Sequence, residues 1–458
     1  MFSYMDRGKV FYRNVAALAV PMILQNLITS SLGMLDTFMV GLLGEAPMAA
    51  VTLANIPVFV VMLMTFGLQS GGSVLISQFY GKRDTDSINR VLGIGLYLGG
   101  GLTFLFGCVM FFLPRQFMSL FGNDPAVVAL AADYARIVAF SFLCDTLASV
   151  YVAMHRSMER PKLGTYLFTS AGVANAFLNW VFIFGHLGAP ALGVKGAALA
   201  TALARILELA VALVHAFVSK SFPIKLSLIL WPGKEMLSRY IRYATPVLLN
   251  ETLWGLGNSL FTTVMGHMAG SQAILAAYAI SGNIDRLCTV AVMAVSGATG
   301  IIIGREIGAG KKDQVYDIGR ALDMLAFLVG LTVGVVCIGL TFLLFKPVVY
   351  PIFSLSKEAE DIAVLMSVIS FAFLALRSFN TTNVVGVLRG GGDVKMASFI
   401  DLAPLWFAAV PAAALCGLVL QKGILWVLLS IQLENLVKFF IGLRRLHSGK
   451  WVRDVTAE

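Results

Sequence analysis

The chain has 458 residues, of which 58% are hydrophobic and 13% charged, with a mean hydropathy of +0.84 and a net charge of +9. A soluble domain carries about 25% charged residues; this chain has too few to cover a water-facing surface, which places it in the multi-span membrane class. In lipid each backbone amide needs a partner within its own segment, so the spans are helices.

The first residues, MFSYMDRGKV, lack the short apolar region and small-residue cleavage site of a removable leader. A span needs about 20 mostly apolar residues, and the runs between charge clusters predict twelve: 13–42, 48–80, 90–113, 126–154, 164–186, 196–219, 243–267, 272–304, 318–345, 359–388, 396–419 and 424–443. Span 1 ends in GMLDTFMVGLLG, where Asp36 is the one acid in an otherwise apolar stretch. A charge at mid-helix costs about 2.5–3.5 kcal/mol on insertion scales, so Asp36 is expected to face the bundle interior or water. The plain alternative is a structural acid bonded to hydroxyls such as Ser30 or Thr37. Span 4 contains Asp145. Span 5 carries Asn175 and Asn179, four residues apart and so on one helix face. Their oxygens suit Na⁺, or a protonated carboxyl, equally with a role as glue between helices. Span 6 adds Thr201 and the pair Arg205 and Glu208, three apart. Span 7 brings Glu251, roughly 12 Å from its inner end at about 1.5 Å per residue, and span 10 brings Arg377, roughly 16 Å deep by the same rise. These two are expected to pair, because an unpaired buried charge is far more costly than a pair. Asp285 with Arg286 in span 8, Asp401 in span 11, and Glu434 with Lys438 in span 12 also need partners.

Lys and Arg set the orientation. With both chain ends in the cytoplasm, 24 of the 34 basic residues fall in inner segments, five in outer loops and five within spans. The net positive charge is thereby a matter of topology, and no nucleic-acid partner is expected. The five cysteines all sit in apolar runs without CxxC spacing, as small packing residues.

The chain also repeats itself. YGKRD (80–84) answers to AGKKD (309–313), MHRSMERPK (154–162) to VLRGGGDVK (387–395), AVPMILQN (19–26) to ATPVLLNE (244–251), and Glu208 to Glu434. The near-constant offsets predict a six-helix lobe over 1–218, a cytoplasmic linker over 219–242 and a second six-helix lobe over 243–458. The expected fold is an all-α integral membrane protein of twelve transmembrane helices, in two pseudo-symmetric halves around a central cleft. Under the repeat, Asp36 is matched by Phe261, so the acid belongs to one half only.

With these motifs assembled, the chain resembles the multidrug and toxic compound extrusion (MATE) transporters of the MOP superfamily from end to end. The resemblance is carried by LDTFMVGLLG (35–44) with Pro21, GLQSGGSVLISQFYGKRD (67–84), NAFLNWVFIFG (175–185), LGVKGAALATALAR (192–205), ATPVLLNETLWGLG (244–257) and VLRGGGDVK (387–395). It implies efflux of cationic or amphipathic compounds in exchange for Na⁺ or H⁺, with lobes that rock about the cleft. It makes Asp36 the coupling-ion acid, with Asn175, Asn179 and Thr201 completing a polar pocket, and Na⁺ as the metal that Asp36 would bind. Some members carry an acid where Asn179 stands, and one branch has an acid on span 10 where this chain has Asn380 and Asn383. Met34, Met64, Glu251, Trp254, Arg377 and Asn380 are expected to line the substrate cleft. No cofactor beyond the coupling ion is expected, and the protein is read as a monomer in the inner (plasma) membrane, in contact with lipid and small-molecule substrates.

Other functions fit less well. A flippase for lipid-linked or amphipathic substrates of the same superfamily would need a cleft rich in Arg and Lys, whereas the charges here are mixed. The five histidines lie near span ends and none makes HExxH, so an enzyme is not expected. The glycines of VLRGGGDVK follow no strand, so they are not a phosphate loop. Nothing resembles a nucleotide-driven pump or a repeated selectivity loop.

Overall fold

The computed structural model describes residues 7–122, 124–219, 222–353 and 355–457, and these form helices and no strand. The extreme start, where no leader was expected, lies outside the described residues, as do Lys220 and Ser221 of the linker.

Every predicted span is helical. Spans 1 to 3 are Gly8–Gly41, Glu45–Gly81 and Thr85–Phe112. Span 4 is two helices, Pro125–Val138 and Ser141–Ser157, bent by 51°. Spans 5 to 7 are Lys162–Phe184, Val194–Val218 and Lys234–Gly266. Span 8 breaks at Thr289 into Ser271–Cys288 and Val290–Gly308. Span 9 starts as Lys312–Leu340 and continues through π-helical turns at Thr341–Val349. Span 10 is Lys357–Ala372 and Leu374–Thr381, also bent by 51° and extended by a π-helical stretch Thr382–Leu388. Span 11 runs Val394–Val419, with π-helical turns directly after Pro404 and just beyond Pro411, each of which removes a backbone donor. Span 12 is Ile424–His447. Among the described residues nine helices are long and apolar enough to cross a membrane, or eleven with each bent pair as one span. Span 7 falls below that apolarity because Asn250, Glu251 and Asn258 interrupt it.

The helix starts are written in short polar side chains. Asp84 accepts from the Ser87 amide at 3.0 Å, Asp124 from the Ala126 amide at 2.8 Å ahead of Pro125, and Ser356 from the Ala359 amide at 3.2 Å. Each supplies an acceptor to an otherwise orphan donor of the first turn. The repeat reappears in the turns. The Arg160 amide bonds the His155 carbonyl at 2.9 Å, and its repeat partner Asp393 bonds the Leu388 carbonyl at 2.9 Å. The repeat-related Glu159 and Gly392 both adopt left-handed backbone, at φ 61° and 89°.

The chain divides into two compact units, Pro21–Leu248 and Met1–Val20 with Leu249–Glu458. The divisions fall inside spans 1 and 7, so each of these helices changes unit part-way along. In the first unit, Met110, Tyr134, Ala135 and Ala197 lie in one buried cluster. In the second, Ile303, Leu322, Leu388 and Trp451 centre the largest, joined by Val15 and Leu18 from the chain start. Apolar side chains such as Phe407, at 84% exposure, and Leu343, at 79%, stand outward, as lipid contact requires.

Candidate functional site

In the Pro21–Leu248 unit, span 1 lies so close to span 5 that a Cβ at Gly172 would come within 2.1 Å of the Leu32 side chain. That approach brings Asp36 onto the Asn face of span 5. The Asn179 Nδ2 donates to Asp36 Oδ1 at 2.5 Å and sits 3.3 Å from Asn175 Oδ1. Asn175 Nδ2 in turn reaches Thr201 Oγ1 at 3.4 Å. The four residues picked out in the sequence therefore form one connected chain of polar side chains. Thr37 is not part of it: its hydroxyl donates to the Gly33 carbonyl of its own helix at 3.0 Å. Asn179 is fully buried, and its Oδ1 has no hydrogen-bond partner. Asp36 has no ion-pair partner among the described residues, so its hydrogen bonding rests on amides.

Sequence reading missed one member of this group. Tyr134, buried on the first helix of span 4, places its hydroxyl 3.5 Å from Thr201 Oγ1. Its signal was a phenol inside the apolar run AADYARIV. Behind the pocket, Arg205 bonds Glu208 Oε2 at 2.7 Å, as the three-residue spacing predicted, and also Asp145 Oδ1 at 3.0 Å. Asp145 thereby finds its partner on span 6.

In the other unit the expected Glu251–Arg377 pair does not form. Arg377 grips Asp285 of span 8 with both ends of its guanidinium, at 2.7 and 3.2 Å, and Ser370 adds a bond to the same carboxylate at 2.6 Å. Glu251 is bonded instead by Arg389 at 2.9 Å. Counting along a straight helix axis misplaced Arg377, because span 10 bends by 51° and then winds as a π-helix. Arg389 was counted among the cytoplasmic charges, yet its side chain is 1% exposed. It leads into a buried network: Asp401 lies 3.8 Å from Arg389, accepts from Lys438 at 2.7 Å and from Asn250 at 2.7 Å, and Lys438 also bonds Glu434. Of the residues expected to line a cleft, Met34 and Trp254 are exposed and Met64 is partly exposed. Asn380 is buried and donates to the Asn435 carbonyl at 2.8 Å, which ties span 10 to span 12 instead of facing open space.

The family model MatE matches residues 21–181 and 246–415, well over half of the chain and one block in each half of the repeat. The chain belongs to the MATE family. As a MATE protein it is a multi-span membrane transporter and not an enzyme. Among relatives, it is 24% identical to a probable multidrug resistance protein NorM of Thermotoga maritima over 96% of this chain and 93% of that protein. It is 25% identical to the uncharacterized transporter YisQ of Bacillus subtilis over 92% and 91% of the two chains. A solved MATE transporter of the MOP superfamily in an outward-facing conformation superposes with a TM-score of 0.84 at 22% identity, covering 95% of this chain and 96% of that one. The twelve-helix MATE fold is thereby shared.

Proposed function

We propose that the protein is a secondary antiporter which expels cationic or amphipathic compounds in exchange for Na⁺ or H⁺, with Asp36 as the coupling acid. The observation that carries this reading is the bond from Asn179 to Asp36 at 2.5 Å beside a buried, unpartnered Asn179 Oδ1. An acid of a membrane helix held by amides alone keeps its charge available to an arriving cation. A carboxylate already locked to Arg or Lys does not. No group of three His, Cys, Asp or Glu gathers among the described residues. A Na⁺ here would therefore rest on the Asp36 carboxylate with the Asn175, Asn179 and Thr201 oxygens, all hard donors. A proton would need Asp36 alone.

In this reading the ion neutralises Asp36 when the site opens outward. A bound organic cation loses its counter-charge and leaves. Return of the loaded helix carries the ion inward. Exchange requires that ion and drug favour opposite conformations, since a ligand shifts an equilibrium only by its difference in affinity. Met34, Met64 and Trp254 supply adaptable apolar contacts for varied substrates. In this reading the protein lies in the plasma membrane with both ends in the cytoplasm, an orientation that the loop charges support. The test is Asp36→Asn in proteoliposomes, with Na⁺ and pH gradients imposed separately and efflux of a fluorescent organic cation recorded. Loss of ion-driven efflux is expected. Efflux at the wild-type rate would overturn the assignment.

A further inference from the structure

A second carboxyl lies in the membrane without a cation. Asp323 sits on span 9 in the run GRALDMLAFLVG and is fully buried. Its one hydrogen bond comes from Asn383 Nδ2 of span 10, at 2.8 Å. The remaining oxygens of this pair, Asp323 Oδ1 and Asn383 Oδ1, are buried and unpartnered, and so is the neighbouring Thr382 Oγ1. Space for the carboxamide is made by span 12, where a Cβ on Gly442 would come within 2.9 Å of Asn383 Oδ1.

Several charged groups on the elements around Asp323 are engaged elsewhere, while Asp313 and Asp317 lie nearer the start of its own helix and Arg444 and His447 at the end of span 12. On span 8, Arg305 and Lys311 from the adjoining turn hold Glu306. On span 10, Arg377 holds Asp285 and Arg389 holds Glu251. On span 12, Lys438 holds Glu434 and Asp401, and Arg445 holds Asp393. On its own helix, Arg320 stacks over Tyr316.

We propose that Asp323 and Asn383 form a second proton-binding site, in the unit that lacks Asp36, with Asp323 carrying the proton and the Asn383 carboxamide as its partner. An ionised carboxylate in this position would be an isolated buried charge, among the most costly arrangements in a protein. One proton removes that charge and turns Asp323 Oδ1 into a donor. Acid and amide then close on each other, O–H to Asn383 Oδ1 and N–H from Asn383 Nδ2, so that a single proton satisfies both orphan oxygens. The exit is built into span 10. Asn383 belongs to the π-helical stretch Thr382–Leu388, which contains no proline to force it. π-Turns are frequent at functional positions. Relaxing the extra residue of this turn to α-helix swings a side chain by about 100° around the axis, which takes Asn383 off the acid and releases the proton. The site is independent of which ion binds at Asp36.

The test is infrared difference spectroscopy of the full chain, purified in lipid at neutral pH, which reads the C=O stretch of protonated carboxyl groups. Asp323→Asn keeps the shape and the neutrality of the site. It is expected to fold with near wild-type thermal stability and to lose one buried-carboxyl band, while Asp36→Asn retains that band. An unchanged spectrum in Asp323→Asn overturns the proposal. So does an ionised-carboxylate band of Asp323 that responds to Na⁺. Should Asp323→Asn fail to fold, Asn383→Ser removes the amide partner and is expected to shift the same band; an unmoved band overturns the proposal. Failure of Asp36→Asn to alter transport bears on the coupling acid alone and leaves this band untouched.

Discussion

Arg389 offers the sharpest test of how the charges of the second unit are arranged. Its Nη1 is 2.9 Å from Glu251 Oε1, and its side chain is 1% exposed. Asp401 also feels it, at 3.8 Å, but keeps Lys438 and Asn250 at 2.7 Å each when Arg389 is gone. The load of Arg389→Met therefore falls on Glu251, which loses its cation. Breaking a buried pair in this way costs about 3–5 kcal/mol. Glu251→Gln alone leaves Arg389, whose Nε and Nη2 have no hydrogen-bond partner, with only Asp401 at 3.8 Å, and is expected to cost somewhat less. The double variant removes both members of the pair and is expected to recover about 0.5–3 kcal/mol of the summed losses, the range seen for residues in one network. Glu251→Gln with Arg377→Met is the control. Arg377 is spent on Asp285 and shares no partner with Glu251, so those losses should add to within about 0.5 kcal/mol. Reversible unfolding of the full chain from mixed micelles, followed by tryptophan fluorescence, measures all five variants. Additive losses for Glu251 and Arg389, or coupling between Glu251 and Arg377, would refute the reasoning.

Two further predictions concern packing. Gly392 and Glu159 share a left-handed backbone through the repeat, but only Gly392 is enclosed: a Cβ there would meet Val455 Cγ1 at 2.6 Å and the Arg453 carbonyl at 3.1 Å. Glu159→Gly should change thermal stability by no more than about 1 kcal/mol, with stabilisation from relieved backbone strain set against a freer unfolded chain, whereas Gly392→Glu should prevent recovery of a monodisperse protein in detergent. Trp451, fully buried and donating to the Leu446 carbonyl at 3.0 Å, pins the chain's last residues over the turn after span 10. Trp451→Ala should lower stability by about 3–5 kcal/mol, read by the same unfolding assay, while transport by the surviving folded fraction continues.

Span positions were legible because lipid imposes one rule on the whole chain: apolar length, punctuated by charge. The isolation of Asp36 and the i, i+4 spacing of Asn175 and Asn179 were legible as local facts, but only the family resemblance joined them with Thr201 into one pocket. Pairing between distant helices was not. Whether Arg377 reaches Glu251 or Asp285 depends on a 51° bend at Phe373 and on the π-helical winding beyond it, and no spacing in the sequence encodes either. Arg389 was hidden for a related reason. It borders the GGG turn and so reads as cytoplasmic, yet the turn folds inward under residues 451–455 and carries the arginine with it. Asp323 was as visible as Asp36, an acid inside an apolar run, but lies so near the basic cluster before span 9 that it passes for part of it.

The buried carboxylates fall into two kinds once their partners are known. Asp145, Glu208, Asp285, Asp401, Glu434 and Glu251 each touch Arg or Lys. Such pairs suit fixed struts between helices. Asp36 and Asp323 touch amides instead. An amide supplies a donor without a charge, so its acid can be neutralised by an arriving proton or cation and restored afterwards with no ion pair broken. The repeat does not relate these two acids, since Asp36 aligns with Phe261 and Asp323 has no acidic equivalent on span 3. On the two proposals above, each unit holds one acid of the exchangeable kind, at positions that symmetry alone would not produce. That distribution is the physical ground for expecting each unit to respond to ions on its own helices: span 1 against span 5 in one, span 9 against span 10 in the other.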